Sequence, residues 1–286
     1  MGNVQLGVTL YSFTKEYCEG SMDLEDCIRT AKEMGAEGFE IVATQMVPSY
    51  PYISDTFLGE IRSICDCYDI EPVCYGANMD CGLRYDRRLT EDEMVERAIL
   101  DIRSANKMGC KVIRQQYLLS PNGLARIAPY AEAYGVKVGI EIHNPETPNS
   151  PAMMAYRAAI DKSGSKYIGF VPDFGCFATK PNKPHWDEAL KNGADLRLLE
   201  MARDMRYDAV PMEEAQKRLK ENGATTLELA LLQEMYAFLQ FKKDCKKELE
   251  GLKEIMPHCF HMHGKFHYLY EDLTEASIPY EEILNV

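Results

Sequence analysis

Short apolar runs alternate along this chain with longer segments in which apolar residues recur every three or four positions. The first kind reads as buried strand and the second as amphipathic helix. The strand runs fall at 5–11, 38–42, 72–76, 111–116, 137–142, 167–171 and 258–263. Helices are expected over 23–34, 55–67, 90–108, 122–134 and 152–162. Two of them carry end signals. Gly35 follows the first and stops it, and Thr90 with Glu93 opens the third as a capping box. Strands separated by helices of ten or more residues argue for a parallel sheet with helical crossovers.

After the sixth strand the rhythm changes. From Asp173 to His258 the chain runs about 85 residues, where one crossover needs about thirty. Helical patterns over 196–205, 212–222, 226–239 and 245–255 fill the gap. The expected fold is therefore α/β, a (β/α)8-type TIM barrel in one domain over 1–286, with a helical insertion at about 186–256. Seven strands are counted and the eighth is missing. The chain closes with a helix start at 280–284. Gly-x-Gly-x-x-Gly does not follow the first strand, so a dinucleotide fold lacks its signature.

Composition narrows the function. The net charge of −13 leaves no basic face with which to displace phosphate counterions, so nucleic acid is not expected as a partner. No apolar run reaches the roughly 18 residues of a membrane span, and the N-terminus has no basic leader. The expected location is the cytoplasm. The ten cysteines include Cys65, Cys67, Cys74 and Cys81, which lack zinc-knuckle spacing. They are expected as reduced thiols.

In a barrel the chemistry lies at the C-terminal ends of the strands. Strand five ends in Glu141-Ile142-His143-Asn144, strand six in Pro172-Asp173-Phe174-Gly175, and strand seven holds His261-Met262-His263-Gly264-Lys265. Two carboxylates and an imidazole from neighbouring strands suit Mn²⁺, Fe²⁺, Co²⁺ or Zn²⁺. Glu141 sits in an apolar run where an unpaired charge is costly. It shares a strand face with His143, as His261 does with His263. A solvated Glu or a satisfied core histidine is the plainer reading of each residue alone. Agreement of three strand ends is what favours a site. His143 is the candidate general base, with orientation of Glu141 as its alternative role. Lys265 and His261 complete the candidate catalytic set as ligands of substrate oxygens. Lys180, Lys183, His185 and Trp186 are candidates for the lip of the site.

These three runs, with 6–11 and 38–41, resemble the xylose-isomerase-like barrel superfamily of sugar phosphate isomerases and epimerases over nearly the whole chain. The resemblance implies a metal held by Glu141, Asp173 and His263. It also implies a further Glu on strand eight, which would fall beyond Val286. The insertion, the run from Phe177 to Trp186, and His263-Gly264-Lys265-Phe266-His267-Tyr268 resemble bacterial C-glycoside deglycosidase α subunits more closely. That likeness implies Mn²⁺-type metal, a small β subunit, and cleavage of the carbon–carbon bond between a 3-oxo sugar and an aromatic aglycone. The alternatives are a metal-dependent sugar isomerase or epimerase working through an enediolate, and a non-catalytic or truncated subunit. A DNA-repair endonuclease of the same superfamily would need His three residues after Asp173, where Cys176 stands.

Overall fold

The computed structural model describes residues 5–79, 82–116 and 118–286. Cys81 lies outside the described residues. The chain divides into two compact units. The first holds the described residues up to Glu141, with Ala155–Val171 and His258–His261. The second holds Ile142–Met154, Pro172–Pro257 and Met262–Val286.

Strands β1 (Gly7–Thr9), β2 (Gly38–Val42), β3 (Glu71–Ala77), β4 (Val112–Gln115), β5 (Lys137–Ile142) and β6 (Ile168–Pro172) form one sheet in that order. The ladders from β1 to β5 are parallel. Every residue of β2 and of β6 is buried. Burial on both faces is what a parallel sheet shows when helices cover one side and side chains fill the other. β1 is shorter than its apolar run. Leu10–Phe13 instead turns into a 3₁₀ helix, because the Thr9 side chain accepts from Tyr11 N–H.

Local signals explain the helix bounds. Leu24–Glu33 opens on a capping box between Asp23 and Asp26. Glu91–Met108 opens on the box of Thr90 and Glu93 and carries Glu91, Asp92 and Glu93 in its first turn, where the helix dipole favours negative charge. It ends at Gly109, whose φ of +99° suits glycine. In the second unit, Leu196–Tyr207, Met212–Glu221, Thr226–Ala237 and Lys246–Ile255 occupy the expected insertion. Lys183–Lys191 is a further helix that the apolar pattern did not announce. Asn182 caps it and Pro184 lies in its first turn.

The seventh strand is a correction. Phe170 bridges Cys259, and Asp173 bridges His263, but these are isolated parallel bridges. One residue more separates Cys259 from His263 than separates Phe170 from Asp173. The extra residue breaks the ladder as a bulge does. Pro172 adds to this, since it has no N–H to donate. Among the described residues the sheet has six strands.

The close approach of this segment to β6 depends on Gly169. A Cβ there would lie 2.1 Å from the His258 carbonyl oxygen and 2.8 Å from the Phe260 ring. Gly169→Ala is therefore expected to destabilise the protein by about 1–3 kcal/mol in urea unfolding. An unchanged midpoint would show that the segment does not need this approach.

A second constraint lies behind β3. Asp101 is 1% exposed and takes hydroxyl bonds from Tyr50 at 3.3 Å and Tyr75 at 3.4 Å. Burial raises its pKa to about 7, against the pull of nearby Arg97. The native state thus favours the protonated acid. The stability this contributes is complete below the unfolded carboxyl pKa and is lost as pH rises through about 7. The melting temperature is expected to fall between pH 5 and pH 8, and Asp101→Asn to flatten that slope. An equal slope in the variant would remove Asp101 as its cause.

Candidate metal-binding and catalytic site

β6 runs directly into Asp173, which begins the 3₁₀ turn Phe174–Phe177. Asp173 is 1% exposed. Its N–H donates to the Ile142 carbonyl at 3.0 Å, which fixes it beside the end of β5. One carboxylate oxygen, Oδ1, accepts from Gly175 N–H at 2.8 Å. The other, Oδ2, is buried without a hydrogen bond. Two cationic or basic groups face it, the Lys265 ammonium at 3.1 Å and His263 Nδ1 at 3.8 Å. Phe174 N–H donates to the His263 carbonyl at 2.9 Å and His263 N–H to that of Pro172 at 2.9 Å. Thus the Asp173 and His263 expected from the sequence do meet, with Lys265 on the same oxygen.

His143 leaves β5 on the loop that Asn144 anchors. Its Nδ1 lies 2.7 Å from the Asn144 carbonyl. The Asn144 amide donates to the carbonyls of Gly175 at 3.3 Å and Gln240 at 2.7 Å, joining the His143 loop, the Asp173 turn and the insertion. His267, absent from the sequence-derived set, is buried beside this turn. A Cβ on Gly175 would lie 2.9 Å from Asp173 Oδ1 and 3.3 Å from His267 Cε1. Burial lowers the His267 pKa from its ordinary value, with the Asp173 charge opposing. Its run of aromatic and basic neighbours was visible in the sequence, but its burial was not.

The lip candidates separate. Lys180 Nζ lies over the rings of Tyr268, at 5.1 Å, and Tyr270, at 6.0 Å. Lys183 pairs with Asp187 one helical turn on. His185 Nδ1 is 2.6 Å from Glu234 Oε1, which fastens one insertion helix to another. Trp186 is half-buried on the same helix as His185.

In the first unit Glu141, on β5, meets Arg114, on β4. Arg114 Nη1 lies 3.4 Å from Glu141 Oε2 and its Nη2 3.3 Å from Glu40 Oε1. Glu40 also accepts from the Thr9 hydroxyl at 3.2 Å. Ligand atoms of Glu40, Cys74 and His261 lie within 4.8 Å of one another, a spacing compatible with a metal. The chemistry there is poor for one. Arg114 pairs with Glu40. Burial, then the Glu40 charge, drives the Cys74 thiol pKa well above its usual value, and a sulfur donor suits Mn²⁺ less well than oxygen does. Arg114 and Glu40 were missed in the sequence, although the signal that singled out Glu141, a charge inside an apolar strand, marks them both.

Among the described residues no helix is long and apolar enough to cross a membrane, and the cysteines carry free thiols.

Comparison with known proteins agrees with the parallel sheet. A family model, the xylose isomerase-like TIM barrel, matches residues 28–210. The 3'-dehydrocarminate deglycosidase alpha subunit of a Microbacterium species is 31% identical over 290 residues, 98% of this chain and 83% of that protein. A C-glycoside deglycosidase alpha subunit of Arthrobacter globiformis is 30% identical over 288 residues, covering 98% and 80%. Among solved structures, a 3-keto-D-glucoside 4-epimerase from E. coli aligns over 95% of each chain, with a TM-score of 0.48 and 12% identity. With a matching family model over most of its length and enzymes among its full-length relatives, the chain belongs to the xylose isomerase-like TIM barrel family and is an enzyme.

Proposed function

We propose that this chain is the metal-dependent α subunit of a C-glycoside deglycosidase, and that Glu141, Asp173 and His263 hold its divalent ion. Mn²⁺ is the first choice among Mn²⁺, Zn²⁺, Co²⁺ and Fe²⁺. The observation that carries the reading is Asp173 Oδ2. It is a buried carboxylate oxygen with no hydrogen bond, faced by an ammonium and an imidazole. Taking a carboxylate out of water is costly unless positive charge meets it. An oxygen and a nitrogen donor side by side suit a borderline divalent ion. Glu141 adds a second buried carboxylate of the same chemistry. The full-length relatives named as deglycosidase alpha subunits support the choice of reaction.

A bound divalent ion would supply Lewis acidity toward a sugar ketone. The remaining work falls to side chains. The Asn144 carbonyl can only accept, so the hydrogen of neutral His143 is assigned to Nδ1 and the lone pair to Nε2. His143 Nε2 then takes the proton from the carbon next to the ketone. The C–H electron pair becomes the new C=C bond. The bond from C1 to the aglycone carbon breaks and its electrons leave with the aglycone. A proton, held as the His143 imidazolium, restores C–H on that carbon. Lys265 and His261 bind sugar oxygens. Lys180, Lys183, His185 and Trp186 border the aglycone, with the edge-to-face rings of Tyr268 and Tyr270 beside Lys180. A small β subunit completes the enzyme.

Two variants separate the roles. Mn²⁺ at a hundred times its Kd is expected to stabilise the wild type by about 2.7 kcal/mol in thermal unfolding, and Asp173→Ala to lose that rise together with activity. A wild type whose melting does not respond to Mn²⁺, Zn²⁺, Co²⁺ or Fe²⁺ would end the metal reading. His143→Gln is expected to keep the metal response but to exchange deuterium next to the ketone about 10²–10⁴-fold more slowly. Undiminished exchange would remove His143 as the base. With the β subunit co-expressed, the enzyme should release aglycone from a 3-oxo-C-glycoside. Interconversion of ketoses without release would establish the epimerase reading instead.

A further inference from the structure

Arg114 lies in β4 at 6% exposure, opposite Gly76 of β3 in the ladder. The glycine leaves it room. A Cβ at position 76 would lie 2.8 Å from Arg114 Nη2 and 3.2 Å from Glu40 Oε1. The guanidinium is divided rather than closed on one partner. Nη2 is 3.3 Å from Glu40, and Nη1 is shared between Glu141 at 3.4 Å and Asn78 Oδ1 at 3.2 Å. A charge-assisted pair closed on one carboxylate shortens to about 2.7–2.9 Å. Both carboxylates, at 3% and 4% exposure, thus share one guanidinium.

We propose that Arg114 is a positioning residue for Glu141, with Glu40 as its counterweight. This rests on the reading that Glu141 is a metal ligand. Nη1 fixes Glu141 through Oε2 and so sets the direction of Oε1. Glu40 draws the guanidinium the other way, so Glu141 keeps enough negative charge to serve a metal. Electrostatics alone makes the opposite forecast for loss of the cation. Without the guanidinium, a simple charge effect tightens metal binding, whereas loss of orientation weakens it. Partners that orient metal ligands typically contribute 10–100-fold in affinity.

The test is titration of the full chain with Mn²⁺, following the free ion by its EPR signal and the bound ion by its line shape. Arg114→Lys keeps the charge but cannot fork between two carboxylates, and binding is expected to weaken 10–100-fold. Arg114→Gln removes the charge as well and is expected to weaken binding at least as much. Glu40→Gln leaves Arg114 paired with Glu141 and is the variant expected to fold if the others fail. It should weaken Mn²⁺ about tenfold, because the guanidinium then falls wholly to Glu141. Bound-ion line shapes should differ from wild type in each. Cys74→Ser should bind Mn²⁺ as the wild type does. Wild-type affinity and line shape in Glu40→Gln and Arg114→Lys would overturn the positioning role while leaving the metal reading intact. Tighter binding in Arg114→Gln would do the same, and so would a matching loss in Cys74→Ser, which would place the ion on Glu40 and Cys74. A wild type that takes up no Mn²⁺ would overturn both.

Discussion

A carboxylate taken out of water has to meet positive charge, and among the described residues three are buried on or just beyond parallel strands: Glu40, Glu141 and Asp173. Removing one partner of such a pair leaves a bare charge in low dielectric, at a cost of about 3–5 kcal/mol. Each carboxylate therefore dictates its surroundings. Arg114 is placed between Glu40 and Glu141, and Lys265 and His263 are drawn to Asp173. Apolar residues of the same volume would be no less stable there. Retaining the charges makes sense where chemistry uses them.

The scaffold admits these groups by removing side chains elsewhere. Gly76 makes space for the Arg114–Glu40 pair, Gly175 lets the Asp173 turn lie against His267, and Gly169 brings the His258–Phe260 backbone onto β6. Such positions need a hydrogen rather than a methyl group because the neighbouring atoms would stand inside van der Waals contact. Asn144 adds a polar brace, since its single amide group donates to two separate segments, at Gly175 and Gln240.

The proposed reaction and its isomerase alternative share their first event, loss of a proton beside a carbonyl. A common catalytic centre can serve either, and the outcome depends on what stands at the next carbon. Under the proposed reading, the groups that decide it are those around Lys180, which meets Tyr268 and Tyr270, and His185, which meets Glu234. Insertions vary more freely than strand ends, because strand ends are fixed by ladder register and loops are not.

By itself the sequence determined the strand order, most helix bounds and the strand-end positions of Glu141 and Asp173. Those follow from local rules, namely periodicity, the capping box at Thr90 and the glycine stop at Gly35. The seventh segment escaped those rules. Its apolar pattern is that of a strand, yet pairing needs a partner in register, and one extra residue denied it that. Arg114 between two carboxylates, and His267 under Gly175, could be decided only by the tertiary structure. Which charges meet across four strands depends on register and on missing side chains at Gly76 and Gly175, and neither is written in the residues' own neighbourhood.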